Sequence, residues 1–168
     1  MGRSARFLKD GVCYFVQTHS FMGKEILKTD ADYGRIMRTI KKYKVRYSVC
    51  LYAYCLVPTG VYLILHPNDA LQLPLFMQGV KQAYALYFNR KYKTGGKVWH
   101  QRFKSALIYN DKDLVNAIQL VESIPVQERR SPSPAEYPWS SCTYRILGSA
   151  SIVDAMPPEN SKVIFSEV

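Results

Sequence analysis

The chain has 168 residues, a formal net charge of +10 and 48% apolar residues, thirteen tyrosines among them. That length and apolar content suit one globular domain with a substantial core and exclude a disordered chain. No uncharged apolar run reaches the roughly eighteen residues of a membrane span, and the opening MGRSARFLKDG lacks the apolar centre of a secretory signal, so a cytoplasmic protein is expected.

In chain order, GVCYFVQTH alternates at Val12, Tyr14 and Val16 and predicts a first strand. TDADYGRIMRTIKKYKV follows, with Thr29 or Asp30 as cap and Tyr33, Ile36, Met37, Ile40 and Tyr43 at helical spacing. Tyr47 to Leu56 and Gly60 to His66 predict the second and third strands, separated by a break at Pro58-Thr59-Gly60. Pro74 suits the first turn of a second helix, whose core stripe is Leu75, Phe76, Val80, Ala83, Tyr84, Tyr87 and Phe88. Glycines in Thr94-Gly95-Gly96 end it through a left-handed cap. SALIYN is a short fourth strand, and DKDLVNAIQLVESI a third helix, capped by Asp111 and closed by Pro125. The expected fold class is α/β (α+β): a ferredoxin-like βαββαβ antiparallel sheet with helices on one face, plus an additional C-terminal helix. Residues 1–147 form one domain, and the polar, Pro-rich stretch 148–168 predicts a loosely ordered tail.

The four cysteines, Cys13, Cys50, Cys55 and Cys142, show no C-x-x-C pair, and Cys50 and Cys55 are expected on opposite sides of one strand. Structural thiols are the simplest reading. His19, His66 and His100 are scattered, so no zinc site is expected. Charge is segregated. Arg35, Arg38, Lys41, Lys42, Lys44 and Arg46 fall in one acid-free stretch, and Lys81, Arg90, Lys91, Lys93, Lys97, Arg102 and Lys104 in another. Such stretches, the second interleaved with Tyr, Phe and Trp, suit a polyanion, nucleic acid above all.

Gly60 and Tyr62 lie two apart on one strand and share a face, a spacing that suits paired metal ligands although neither side chain is a good one. AYCLVPTGVYLIL resembles the AYVLMPNHVHLLL block of the single-tyrosine HUH transposases, the insertion-sequence-200-like and REP-associated tyrosine transposase group. FMQGVKQAYALYFNRKYKTGGKVWHQRFKSALI is similar to that family's helix, glycine turn and G-x-(L/V)-W-Q-x-R-F-K-S segment, and EYPWSS to its DYPWSS ending. The resemblance spans about Gly11 to Ser141. It implies cleavage and rejoining of single-stranded DNA, with a divalent metal such as Mg²⁺ or Mn²⁺ on two strand histidines and a helix tyrosine as nucleophile.

Carried over residue by residue, the ligand histidines fall on Gly60 and Tyr62, the preceding asparagine on Thr59, the nucleophile on Leu120 and its polar neighbour on Ile124. No tyrosine lies between Tyr109 and Tyr137, so no shift of register on the third helix restores the nucleophile. The expectation is a degenerate member: no catalytic residue, no metal or other cofactor, and packing where Leu120 and Ile124 replace reactive groups. DNA-binding candidates are Lys24, Arg35, Arg38, Lys41, Lys42, Arg90, Lys91, Lys93, Lys97, Trp99, Gln101, Arg102 and Lys104, with Trp99 and Phe103 open to either stacking or core roles. Single-stranded or hairpin DNA is the expected partner. An active transposase with relocated residues and an interaction or homodimer module stand as alternatives.

Overall fold

The computed structural model describes residues 7–148 and 152–156. Strands β1 (Cys13–His19), β2 (Val49–Val57), β3 (Gly60–Pro67) and β4 (Lys104–Ile108) form one sheet in the order β2-β3-β1-β4. Every neighbouring pair is antiparallel. Helix α1 (Asp30–Arg46) links β1 to β2, and α2 (Gln72–Tyr92) links β3 to β4. Helices α3 (Asp111–Gln127) and α4 (Ser141–Leu147) follow. This is the ferredoxin-like βαββαβ connectivity read from the sequence.

Strand alternation builds two cores. Tyr14, Val16, Leu63 and Leu65 point toward α1 and α2, where Ile36, Ile40, Phe76, Val80 and Tyr84 meet them. The opposite face carries Cys55, Val57 and Ile64 against Leu114, Ile118, Val121 and Ile124 of α3. Helix α3 lies over β2 and β3, so the β1–β4 half of that face is the more open one. There Lys104 and Ala106 are exposed and Phe15 and Gln17 half-buried. No helix among the described residues is long and apolar enough to cross a membrane.

Several local expectations are corrected. Tyr52 is an extra residue in β2, since Leu51 pairs with Leu65 and Ala53 with Ile64. This bulge resets the alternation, so Cys50 and Cys55 pack in the same α3-side cluster and not on opposite faces. All four cysteines are free thiols. The α3 cap is Asn110, whose side chain accepts from the Asp113 N–H, and not Asp111. Pro125 does not close α3; it lies buried inside a helix that runs on to Gln127. The left-handed residue ending α2 is Lys93, with φ 50°, ahead of the glycines. Leu75 is 44% exposed and does not belong to the core stripe.

The segment after α3 seals the outer edge of β2. The Leu56 N–H donates to the Trp139 carbonyl at 2.9 Å, the Tyr54 N–H to Ser141 Oγ at 3.1 Å, and the Tyr137 hydroxyl to the Leu56 carbonyl at 2.8 Å. Farther along, Leu51 exchanges two 2.8 Å bonds with Asp154, one to its carboxylate and one from its N–H. Of the expected loose tail, residues 152–156 are therefore docked on the sheet, while 149–151 and 157–168 lie outside the described residues. Glu122, buried on α3, accepts from Ser141 Oγ and from Arg145 Nε at 2.7 Å, which fixes α4.

The two helices of the main core are joined by a single acid. Asp32, fully buried at the start of α1, accepts from Lys91 Nζ at 2.6 Å, the Tyr92 hydroxyl at 2.6 Å and the Tyr87 hydroxyl at 3.0 Å. It also accepts the N–H groups of Lys28 and Thr29, each at 3.0 Å. Burial alone would raise its pKa, but these donors, Lys91 foremost, hold the carboxyl well below the usual carboxylate range. Its contribution is thus complete above the ordinary carboxylate pKa of ~4 and is lost as pH falls below it. Asp32→Ala should lower stability by about 3 kcal/mol in urea unfolding and flatten the acid limb of the stability profile, because it strands buried donors.

Candidate functional site

The α3-side face at the end of β1 and β3 gathers the positions that the sequence singled out. Gly60 pairs with His19 and Tyr62 with Gln17 across the β1–β3 ladder. Gln17 in turn pairs with Lys104 on β4. His19 Nε2 and the Tyr62 hydroxyl oxygen are 2.9 Å apart and share a hydrogen bond, with the rings meeting edge to face at 5.5 Å. Burial, then the Lys104 ammonium and the His100 ring, lower the His19 pKa against an opposing pull from Glu128. Burial raises that of Tyr62, with the Glu128 carboxylate adding to it. Both shifts favour neutral partners at neutral pH.

Sequence reading treated His19 as one of three scattered histidines. The available signal was its place at the end of the first strand, which antiparallel pairing sets opposite Gly60. The consequence is steric. A Cβ on residue 60 would sit 3.0 Å from His19 Cδ2 and 3.1 Å from the Thr18 carbonyl oxygen, so the His19 ring and the β1 backbone crowd the place of a side chain there. Tyr62 offers only a protonated phenol already bonded to His19. No group of three His, Cys, Asp or Glu that could hold a metal ion occurs among the described residues. The residues at 60 and 62 therefore do not fit a divalent ion. On α3, Ile124 is buried as expected, but Leu120 is 47% exposed, so the expectation that it packs is wrong: α3 turns this position off the core.

The basic candidates fall into groups set by the elements that carry them. Arg35, Arg38, Lys41 and Lys42 are exposed along α1. Arg35 and Lys91 both reach over the Tyr87 ring, at 5.3 and 5.6 Å from its centre, so this pair bridges α1 and α2. Lys91 is also the ion-pair partner of Asp32. Arg90 and Lys93 are exposed at the end of α2. Lys24 and Lys97 line a cavity of about 410 Å³ between the loop after β1 and the 94–98 turn. A third lysine there, Lys28, was not foreseen; it lies 4.6 Å from the centre of the Tyr92 ring.

The 99–104 turn divides between the two faces. Trp99 is buried in the α2-side core, its indole N–H donating to the Lys81 carbonyl at 2.8 Å, and Phe103 is buried beside it. Gln101 and Arg102 are exposed. Lys104 belongs to the His19–Tyr62 neighbourhood and not to the helical charge. Lys104→Ala should raise the His19 pKa by removing a repelling cation, read from the imidazole signals in an NMR pH titration.

No protein-family model matches the chain, and no curated protein matches it. Among solved structures, a REP-associated tyrosine transposase bound to a REP hairpin superposes with a TM-score of 0.73 at 18% identity, covering 94% of this chain and 93% of that one. A protein from Deinococcus radiodurans R1, provisionally assigned as a transposase, gives a TM-score of 0.47 at 17% identity over 76% and 96% of the two chains. The chain thus has the fold of the first of these proteins, carried by the whole βαββαβ sheet and its helices.

Proposed function

We propose that this chain is a transposase-derived DNA-binding protein that grips single-stranded or hairpin DNA and does not perform the metal-dependent strand transfer of its relatives. The observation that carries the reading is the fold shared over 94% of the chain with a transposase bound to a hairpin, together with a net charge of +10. The motif matches, in order from Ala53 to Ser141, support common descent with the single-tyrosine HUH group. The exposed cations of α1, Arg90 and Lys93 at the end of α2, and Lys24 and Lys97 supply phosphate contacts on adjoining elements. Arg102 adds a guanidinium able to take a phosphate bidentately.

Against catalysis stand the groups at each reacting position. Gly60 has no donor atom, Tyr62 is a half-buried phenol tied to His19, and Leu120 offers carbon where a nucleophile is needed. Losing nucleophile and Lewis acid together forfeits several powers of ten in rate. Affinity for a labelled hairpin should fall steeply with salt, and fluorescence anisotropy measures the slope. Arg35→Ala/Lys42→Ala should reduce that slope by about two phosphate contacts. Absence of hairpin or single-strand binding at low salt would end this reading.

The His19–Tyr62 contact favours a second reading, relocated chemistry with Tyr62 as nucleophile. A denaturing gel of labelled hairpin with Mg²⁺ or Mn²⁺ separates the two: no protein–DNA adduct is expected, and an adduct lost in Tyr62→Phe would establish the second.

A further inference from the structure

Beside the buried Trp99, α2 and the 99–104 turn enclose an open groove of about 530 Å³, within the roughly 300–1,000 Å³ typical of small-ligand sites. Its floor is apolar and aromatic, with Trp99 and Phe103 each under a tenth exposed. The Trp99 ring is fixed by its bond to the Lys81 carbonyl and by Tyr84, whose ring centre lies 5.9 Å away. Over that floor stand Gln78 and Gln82, one helical turn apart on α2, so both amides face the same groove. Neither amide, nor the Arg102 guanidinium at the mouth, forms a hydrogen bond among the described residues. Lys81 adds a second cation, placed over the Trp99 ring at 5.9 Å.

Each part has a counterpart in one ligand. A flat, fixed aromatic floor suits a π-face, and it does so regardless of sequence. Unpaired amides that both donate and accept match the edge of a purine, adenine above all, where a carboxamide can bond in a bidentate way. Cations at the mouth suit the phosphate attached to such a base. A bare phosphate would leave the apolar floor unused, and a wholly apolar ligand would leave two amides and the Arg102 guanidinium without partners. Sequence position strengthens the match, because the groove is walled by the segment that joins α2 to β4 and by α2 itself, whose far end carries Arg90 and Lys91.

We infer that this groove reads one unpaired purine of the bound DNA, with Gln78 and Gln82 as the specificity-determining residues and Arg102 holding the adjoining phosphate. The inference rests on the DNA-binding reading above and adds sequence preference to it. Charge on α1 sets affinity, while the groove sets which strand is preferred. Gln78 and Gln82 are exposed on a helix, so alanine is compatible with the fold at both.

The test is anisotropy with the full chain and hairpins bearing a single-stranded flank, each flank position varied through the four bases. One position should prefer a purine over pyrimidines by about tenfold. Gln78→Ala/Gln82→Ala should erase that preference while leaving the salt slope and the affinity for the pyrimidine-bearing hairpins unchanged. Arg102→Ala should weaken all hairpins alike. Binding without base preference at any position, or a preference that persists in the double variant, overturns the inference alone and leaves the DNA-binding reading intact. Competition by micromolar deoxyadenosine monophosphate would reassign the groove to a free nucleotide and also overturn it. Failure to bind any hairpin would remove the premise and the inference together.

Discussion

The arrangement of charge on this protein depends on one carboxylate. Asp32 sits fully buried between two helices whose exposed surfaces are crowded with cations. Without an anion at their junction, Lys91, the Tyr87 and Tyr92 hydroxyls and two backbone N–H groups ahead of α1 would converge on a buried point with no acceptor. Asp32 answers this with five donors, three from side chains of α2 and two from the backbone ahead of α1. It therefore sets the spacing of the helices while drawing down the field of only one lysine. Arg35, Arg38, Lys41 and Lys42 on α1 and Arg90 and Lys93 at the end of α2 stay exposed, so the same contact that stabilises the layer leaves its outer face attractive to a polyanion.

The sheet separates two environments. On the α1–α2 side the core is closed, with Tyr14, Tyr84 and Phe76 fully buried. On the other side α3 shelters β2 and β3, while His19, Tyr62, Gln17 and Lys104 occupy the β1–β3–β4 end of that face. The scaffold has the fold of a hairpin-bound transposase, and at this end of its sheet the side chains contact one another. His19 is central to this. Its ring crowds the space beside Gly60 and holds the Tyr62 hydroxyl, so positions 60 and 62 are coupled through a third residue on another strand.

Much of this was legible in the sequence because its signals are local. Strand alternation, the helical stripe of α1 and the order of elements required no long-range information. The features that were missed depend on tertiary pairing. The bulge at Tyr52 leaves no mark in composition, yet it turns Cys50 to the same side as Cys55. Asn110 displaced Asp111 as cap because only its side chain reaches the Asp113 N–H. Pro125 stays within α3, where it is buried, at the loss of one helical bond near the end. The role of His19 follows from a ladder register that no spacing rule contains. Trp99, left between stacking and core, is buried, and its neighbours on α2 had no motif to mark them.

The sealed flank of β2 has an effect on assembly. Residues 137–141 and Asp154 occupy its free backbone groups, while β4 pairs on one side only and shows Lys104, Ser105 and Ala106 to solvent. Among the described residues, then, the sheet has a single flank on which another strand could lie. Copies joining edge to edge through that flank would exhaust it at once, β4 against β4 about a twofold axis, and nothing would remain for a third. Among the described residues, strand addition at that flank would therefore stop at a pair.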